Sequence, residues 1–120
     1  MEIIQEILGY ANLAGKWGGE GYVAPTSEVI NDAIQMLNVL PPEIGVPKSS
    51  ILADGEIAIY WEKGDTYAEI VFSSDNKYYS YGTAPGIDTV YLDDMDTYVN
   101  NKCEFPEKLL EILTHKFSVI

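Results

Sequence analysis

Ile3, Ile4, Ile7, Leu8, Ala11 and Ala14 recur at helical spacing, which predicts an amphipathic helix over about residues 2–14 that ends near Gly15. A second apolar stripe, Val29, Ile30, Ala33, Ile34 and Leu37, follows Pro25-Thr26-Ser27-Glu28. That tetrapeptide reads as a helix start: Thr26 or Ser27 can accept from a free backbone N–H, and Glu28 suits the positive helix end. Pro41-Pro42 then stops the helix by removing donors and crowding the preceding turn.

From about Ser50 the period falls to two. Ile57, Ile59 and Trp61 alternate with Ala58, Tyr60 and Glu62, and Ala68, Ile70 and Phe72 alternate with Tyr67, Glu69 and Val71. These runs predict strands. Asp54-Gly55, Lys63-Gly64-Asp65 and Ser74-Asp75-Asn76 supply the residues that tight reversals need, so an antiparallel meander should run on through Tyr78-Tyr79-Ser80-Tyr81. One sheet face should pack on the helices and the other should meet water. Beyond it, Gly82-Thr83-Ala84-Pro85-Gly86 reads as a loop, Thr89-Val90-Tyr91-Leu92 as a short strand and residues 93–101 as polar and irregular. Pro106 suits a first helical turn, and Leu109, Leu110, Ile112 and Leu113 predict a closing helix to about Lys116. The fold class is therefore α+β: a single domain over residues 1–120, with an antiparallel three- to five-stranded sheet packed against two or three helices.

Between the first two helices lies Trp17-Gly18-Gly19-Glu20-Gly21-Tyr22, whose glycines permit a sharp turn or a close approach. It follows a helix and lacks the lysine and hydroxyl of a phosphate-binding loop, so it reads as a connector with Trp17 inserted in the core. Trp17→Ala should then cost ~3 to 5 kcal/mol.

Charge narrows the classes of function. Nineteen carboxylates stand against seven lysines and no arginine, a formal net charge of −12. Binding to nucleic acid or an anionic membrane needs a cationic surface, so neither is expected as a direct partner. No apolar run reaches the ~18 residues of a membrane span, the start of the chain does not resemble a signal peptide, and Cys103 is a single cysteine. A cytoplasmic setting is the expectation.

No combination of residues spells a known reaction. Asp93-Asp94-Met95-Asp96, with Glu104 eleven positions after Asp93, fails the calcium-loop pattern because Met95, Thr97 and Tyr98 stand at the wrong places. His115 is the single histidine, and Cys103 lies between Lys102 and Glu104, which push a thiol in opposite directions. Catalytic residues, metal ligands and cofactors are accordingly expected to be none. The carboxylates Glu56, Glu62 and Glu69 leave one alternative, a small hydrolase or metal-assisted enzyme.

Trp17-Gly18-Gly19-Glu20-Gly21, Pro25-Thr26-Ser27-Glu28-Val29-Ile30, Leu40-Pro41 and Asp54-Gly55-Glu56-Ile57-Ala58-Ile59-Tyr60-Trp61 follow one another in this order. Together they resemble a family of small bacterial and phage proteins with a tryptophan-glycine turn, a proline-started helix and a glycine-turn strand ending in tryptophan. The resemblance covers about residues 5–75 and implies structural motifs without catalytic roles. It also associates the chain with mobile elements, hence with antitoxin-like or counter-defence roles.

The leading expectation is a non-catalytic acidic interaction protein. Tyr60, Tyr67, Tyr79 and Tyr81 supply rigid area with a polar tip, and Asp88, Asp93, Asp94, Asp96 and Glu104 supply charge for a basic protein partner. A specific version is an inhibitor that occupies the nucleic-acid-binding groove of such a partner.

Overall fold

The computed structural model describes residues 1–13 and 23–115. The connector at residues 17–22, with the core insertion expected of Trp17, lies outside the described residues.

Helix α1 spans Glu2–Gly9 and tightens into a 3-10 turn over Tyr10–Asn12, a little short of the predicted end. Helix α2 spans Ser27–Asn38, and Thr26 caps it by accepting the Val29 N–H at 3.3 Å. Ahead of Pro41 this helix stops, and Pro42–Ile44 forms a second 3-10 turn. Strands β1 (Lys48–Ile51), β2 (Ile57–Lys63), β3 (Thr66–Ser73), β4 (Lys77–Thr83) and β5 (Val90–Asp96) form one antiparallel sheet in sequence order. Helix α3, Glu107–Thr114, closes the described chain, and the predicted α+β class is the observed one.

The turns carry the backbone signs that the sequence chemistry promised. Gly64 has φ +60° in the two-residue loop between β2 and β3, whereas Asp75 and Asn76 take φ +64° and +55° between β3 and β4. Asparagine and aspartate tolerate this left-handed region better than other side-chain-bearing residues.

Register puts Ile57 opposite Phe72, Ile59 opposite Ile70 and Trp61 opposite Ala68, and directly opposed residues share a face. With Tyr78 they form the floor on which Ile3 and Ile7 of α1, Val29, Ala33, Met36 and Leu37 of α2, and Leu109 of α3 pack. Phe105 meets Trp61 edge-on at 5.7 Å, and the indole N–H donates to the Gly45 carbonyl at 3.1 Å. Gly82 is required by close approach: a Cβ there would stand 2.7 Å from Leu109 Cδ1 and 3.3 Å from Ile112 Cγ1. Without a side chain at Gly82, α3 lies against β4.

Several expectations need correction. β1 was absent from the prediction because Lys48-Ser49-Ser50-Ile51 carries one large apolar residue, too few to show alternation. The short strand at Thr89–Leu92 is a longer one that includes Asp93 and Asp96, so the acidic run is not irregular; a register shift opposite Tyr78 and Ser80, with Asp94 at φ +51°, lets it stay paired. Irregular chain begins only at Thr97, where Asn100 and Asn101 take positive φ and Val99 bridges Lys102. The second sheet face is also drier than expected: Ala58 and Val71, paired with each other on it, are 7% and 1% exposed.

Candidate protein-binding surface

The side of the sheet away from the helices is built by the even positions of β2 and the odd positions of β3 and β4. Register aligns Tyr60, Glu69, Tyr81 and Tyr91 in one row across β2, β3, β4 and β5. Tyr67, one row along, fills the gap beside Glu69. Ring centroids lie 6.3 Å apart for Tyr60 and Tyr67, 6.2 Å for Tyr67 and Tyr81, and 5.1 Å for Tyr81 and Tyr91. Four rings thus form an unbroken file across four strands, each pair within the range of favourable aromatic contact. Tyr60, Tyr67 and Tyr81 are half-buried, and Tyr91, at the end of the file, is 74% exposed.

Carboxylates hold the file in place. Tyr67 donates to Glu69 Oε1 at 3.0 Å, and Tyr79, whose strand neighbour is Val71, donates to Glu56 Oε1 at 3.2 Å. Burial, reinforced by Glu69 in the first case and Glu56 in the second, pushes both phenols up to about 12, so each keeps its proton and remains a donor. Glu56 is itself shifted upward, chiefly by burial and then by Asp54. Two of the three carboxylates of the hydrolase alternative are therefore engaged by phenols, and Glu62 stands opposite Tyr67 on the same face.

The acidic residues divide. Asp96 pairs with Lys77 across β4 and β5, and the Lys77 ammonium lies 2.6 Å from Asp96 Oδ1 and 3.8 Å from Asp94 Oδ1. Because Lys77 shares the odd positions of β4 with Tyr79 and Tyr81, this cluster borders the tyrosine file. Asp93 is exposed in the same strand and accepts the Asp94 N–H at 3.0 Å. Asp88 lies apart from this cluster, on a cavity next to Tyr91 that Lys108, Glu111 and Ile112 of α3 also line. Glu104 is exposed between Cys103, beside Met36, and Phe105, on Trp61, hence in the helical layer. Tyr78, next to Tyr79 in the same strand, points into the core and is 4% exposed.

One polar centre escaped the sequence reading. Asp32 is fully buried on α2 and accepts from Asn76 Nδ2 at 2.9 and 3.1 Å and from the Tyr98 hydroxyl at 3.0 Å. Burial raises its pKa, and the Tyr98 and Asn76 hydrogen bonds oppose the rise. The same burial, with Asp32 nearby, pushes the Cys103 thiol up to about 11, which keeps it a weak nucleophile. The one trace in the sequence is spacing: Asp32 lies three residues after Val29 and four before Met36, a polar residue at the position of an apolar stripe, with nothing nearby to name its donors. The centre ties α2 to the β3–β4 turn and to the segment after β5, a structural task. Among the described residues no group of three or more His, Cys, Asp or Glu side chains could hold a metal ion, and no helix is long and apolar enough to cross a membrane.

The chain matches no protein-family model, and neither the curated proteins nor the solved structures contain a significant match to it.

Proposed function

We propose that this chain is a non-catalytic protein-binding module whose tyrosine-lined sheet face receives a basic segment of a partner protein. The observation that carries the proposal is the file Tyr60–Tyr67–Tyr81–Tyr91, bordered by Glu62, Glu69, Asp94 and Asp96. Tyrosine faces attract guanidinium and ammonium groups by ~0.5 to 2 kcal/mol each, and carboxylates beside them steer such groups in. The rings are also pre-ordered by one another and by Glu69, which lowers the entropy cost of binding. An antitoxin- or inhibitor-like blocker of a nucleic-acid-binding groove is the narrower version, resting on Asp93, Asp94 and Asp96, with Asp88 on the cavity next to Tyr91 and Glu104 in the helical layer. The free Cys103 thiol suits a cytoplasmic setting.

Calorimetry with a synthetic peptide of alternating arginine and valine tests this. Binding that weakens about tenfold or more in a Tyr67→Ala, Tyr81→Ala double variant, and also in Glu69→Lys, is the expected result. Failure of the peptide to bind, or equal affinity in variants that remain folded, would overturn it.

A further inference from the structure

A sheet in the order β1 to β5 has two edges, and they are finished differently. β1 is four residues long, and α1 reaches it: the Tyr10 hydroxyl lies 2.7 Å from Ser49 Oγ, which also donates to Glu6. β5 is seven residues long, and among the described residues no backbone group pairs with its outer side between Thr89 and Leu92. Beneath this edge α3 leaves a cavity of about 560 Å³, lined by Asp88, Val90 and Leu92 on one side and Lys108, Glu111 and Ile112 on the other. Above it stands Tyr91, the exposed end of the ring file.

We propose that the basic partner segment of the preceding section binds as a sixth strand, paired through its backbone to β5. The inference rests on that reading and specifies its geometry. An added strand points alternate side chains to opposite faces of the sheet. One set would lie beside Tyr91 and Asp93 on the outer face, where cationic groups are favoured. The other set would enter the cavity between β5 and α3, where Val90, Leu92 and Ile112 offer contact to aliphatic groups beside the charged Asp88, Lys108 and Glu111. The occupant is therefore an extended segment in which Lys or Arg alternates with β-branched or aliphatic residues.

Charge also selects against the nearest competitor, a second copy of this chain. Pairing β5 with itself would bring Asp93, Asp94 and Asp96 of one copy and of the other into a single strand pair, with Asp88 close by. Acidic edges of this kind are a known barrier to self-association, and the same barrier admits a cationic strand. The Asp94 bulge limits the pairing run to the part of β5 nearer Thr89.

The test uses the full chain and the arginine–valine peptide in two N-methylated forms. One carries methyl groups on the alternate amides that would face β5, and the other carries them on the amides that face away. The expected result is that one form loses at least about tenfold in affinity and the other binds like the parent. Amide exchange within Val90–Leu92 should slow by about the same factor when the parent peptide is bound, and only at the alternate positions whose N–H groups point away from β4. If both methylated forms bind like the parent while the Tyr67→Ala, Tyr81→Ala variant still loses affinity, the sixth strand is overturned and the tyrosine surface stands. If the parent peptide does not bind at all, both fall. A dimer that forms without peptide and slows amide exchange on the outer side of Val90–Leu92 would replace the basic strand with a second copy of the chain.

Discussion

The two faces of the sheet are made by the same three strands, yet they are held by different forces. On the helix side Ile57, Ile59, Ile70 and Phe72 are each 0% exposed and lie against three helices. Across the backbone, Tyr60, Tyr67, Tyr79 and Tyr81 take the equivalent positions, and their hydroxyls and carboxylate neighbours keep that face half wet. The first face stabilises by removing apolar area from water. The second has ring-on-ring order and, at Tyr67 and Tyr79, hydroxyls bonded to carboxylates, and no described helix packs on it. A fold that needed only stability would have little reason to place Tyr60, Tyr67 and Tyr81 ring against ring there, whereas a binding surface needs large, rigid side chains with polar tips.

The sharpest break of this comparison is a pair of truncations. Phe72→Ala empties a fully buried site and should cost ~3 to 5 kcal/mol in urea denaturation. Tyr81→Ala, on the other face, should cost about 1 kcal/mol or less while weakening peptide binding. Equal losses of stability would mean that the tyrosine face is a second core and not a docking surface.

Asp32 joins the helix side to the edges of the other. Asp32→Ala leaves the Asn76 amide and the Tyr98 hydroxyl without their acceptor, at about 2 kcal/mol. The pH dependence has a defined sign. Its folded pKa is raised, so the folded state holds a proton that the unfolded state has released, between that raised value and the ordinary carboxylate value near ~3.9. Wild type should gain stability relative to Asp32→Asn as pH falls through this window, and hold a constant difference below it. A difference that moves the opposite way in thermal melts at pH 7, 5.5 and 4 would reject the assignment.

Gly82 tests how closely the helical layer is fitted. A methyl group there meets Leu109 Cδ1, the far end of a side chain, and the flank of Ile112. Gly82→Ala should therefore cost about 1 to 2 kcal/mol, with α3 shifted outward. Peptide binding beside Tyr91 should change with it if the cavity under β5 receives side chains.

What could be read from sequence follows from how each element is stabilised. β2 and β3 bury one face under helices, so their alternation is strong and their residues were placed correctly. β1 and the acidic half of β5 are edge strands with little apolar content, held by the ladder of a neighbour that sequence periodicity does not reveal. The same limit applies to the site. Alternation put Tyr60, Tyr67, Tyr79 and Tyr81 on one face, but their alignment with Tyr91, and the separation of Asp88 and Glu104 from Asp94 and Asp96, depend on register. Asp32 was missed because a lone carboxylate in a helical stripe acquires meaning only when its donors, from residues 76 and 98, arrive.

The smallest effect separates the roles of charge on the tyrosine side. Lys77 is bonded to Asp96, which is the first cause of its raised pKa, yet the ion pair is exposed and solvent screens it. Lys77→Met should therefore leave the denaturation midpoint unchanged within error. The same change releases Asp94 and Asp96 from their internal cation and makes the border of the ring file more acidic. If those carboxylates serve a basic strand, affinity for the arginine–valine peptide should rise about twofold at low salt, and the gain should vanish as added salt shortens the screening length. A loss of stability with no change in affinity would place the Lys77 cluster with the fold-supporting side of the molecule, because the ion pair would then be holding β4 to β5 rather than competing with a ligand.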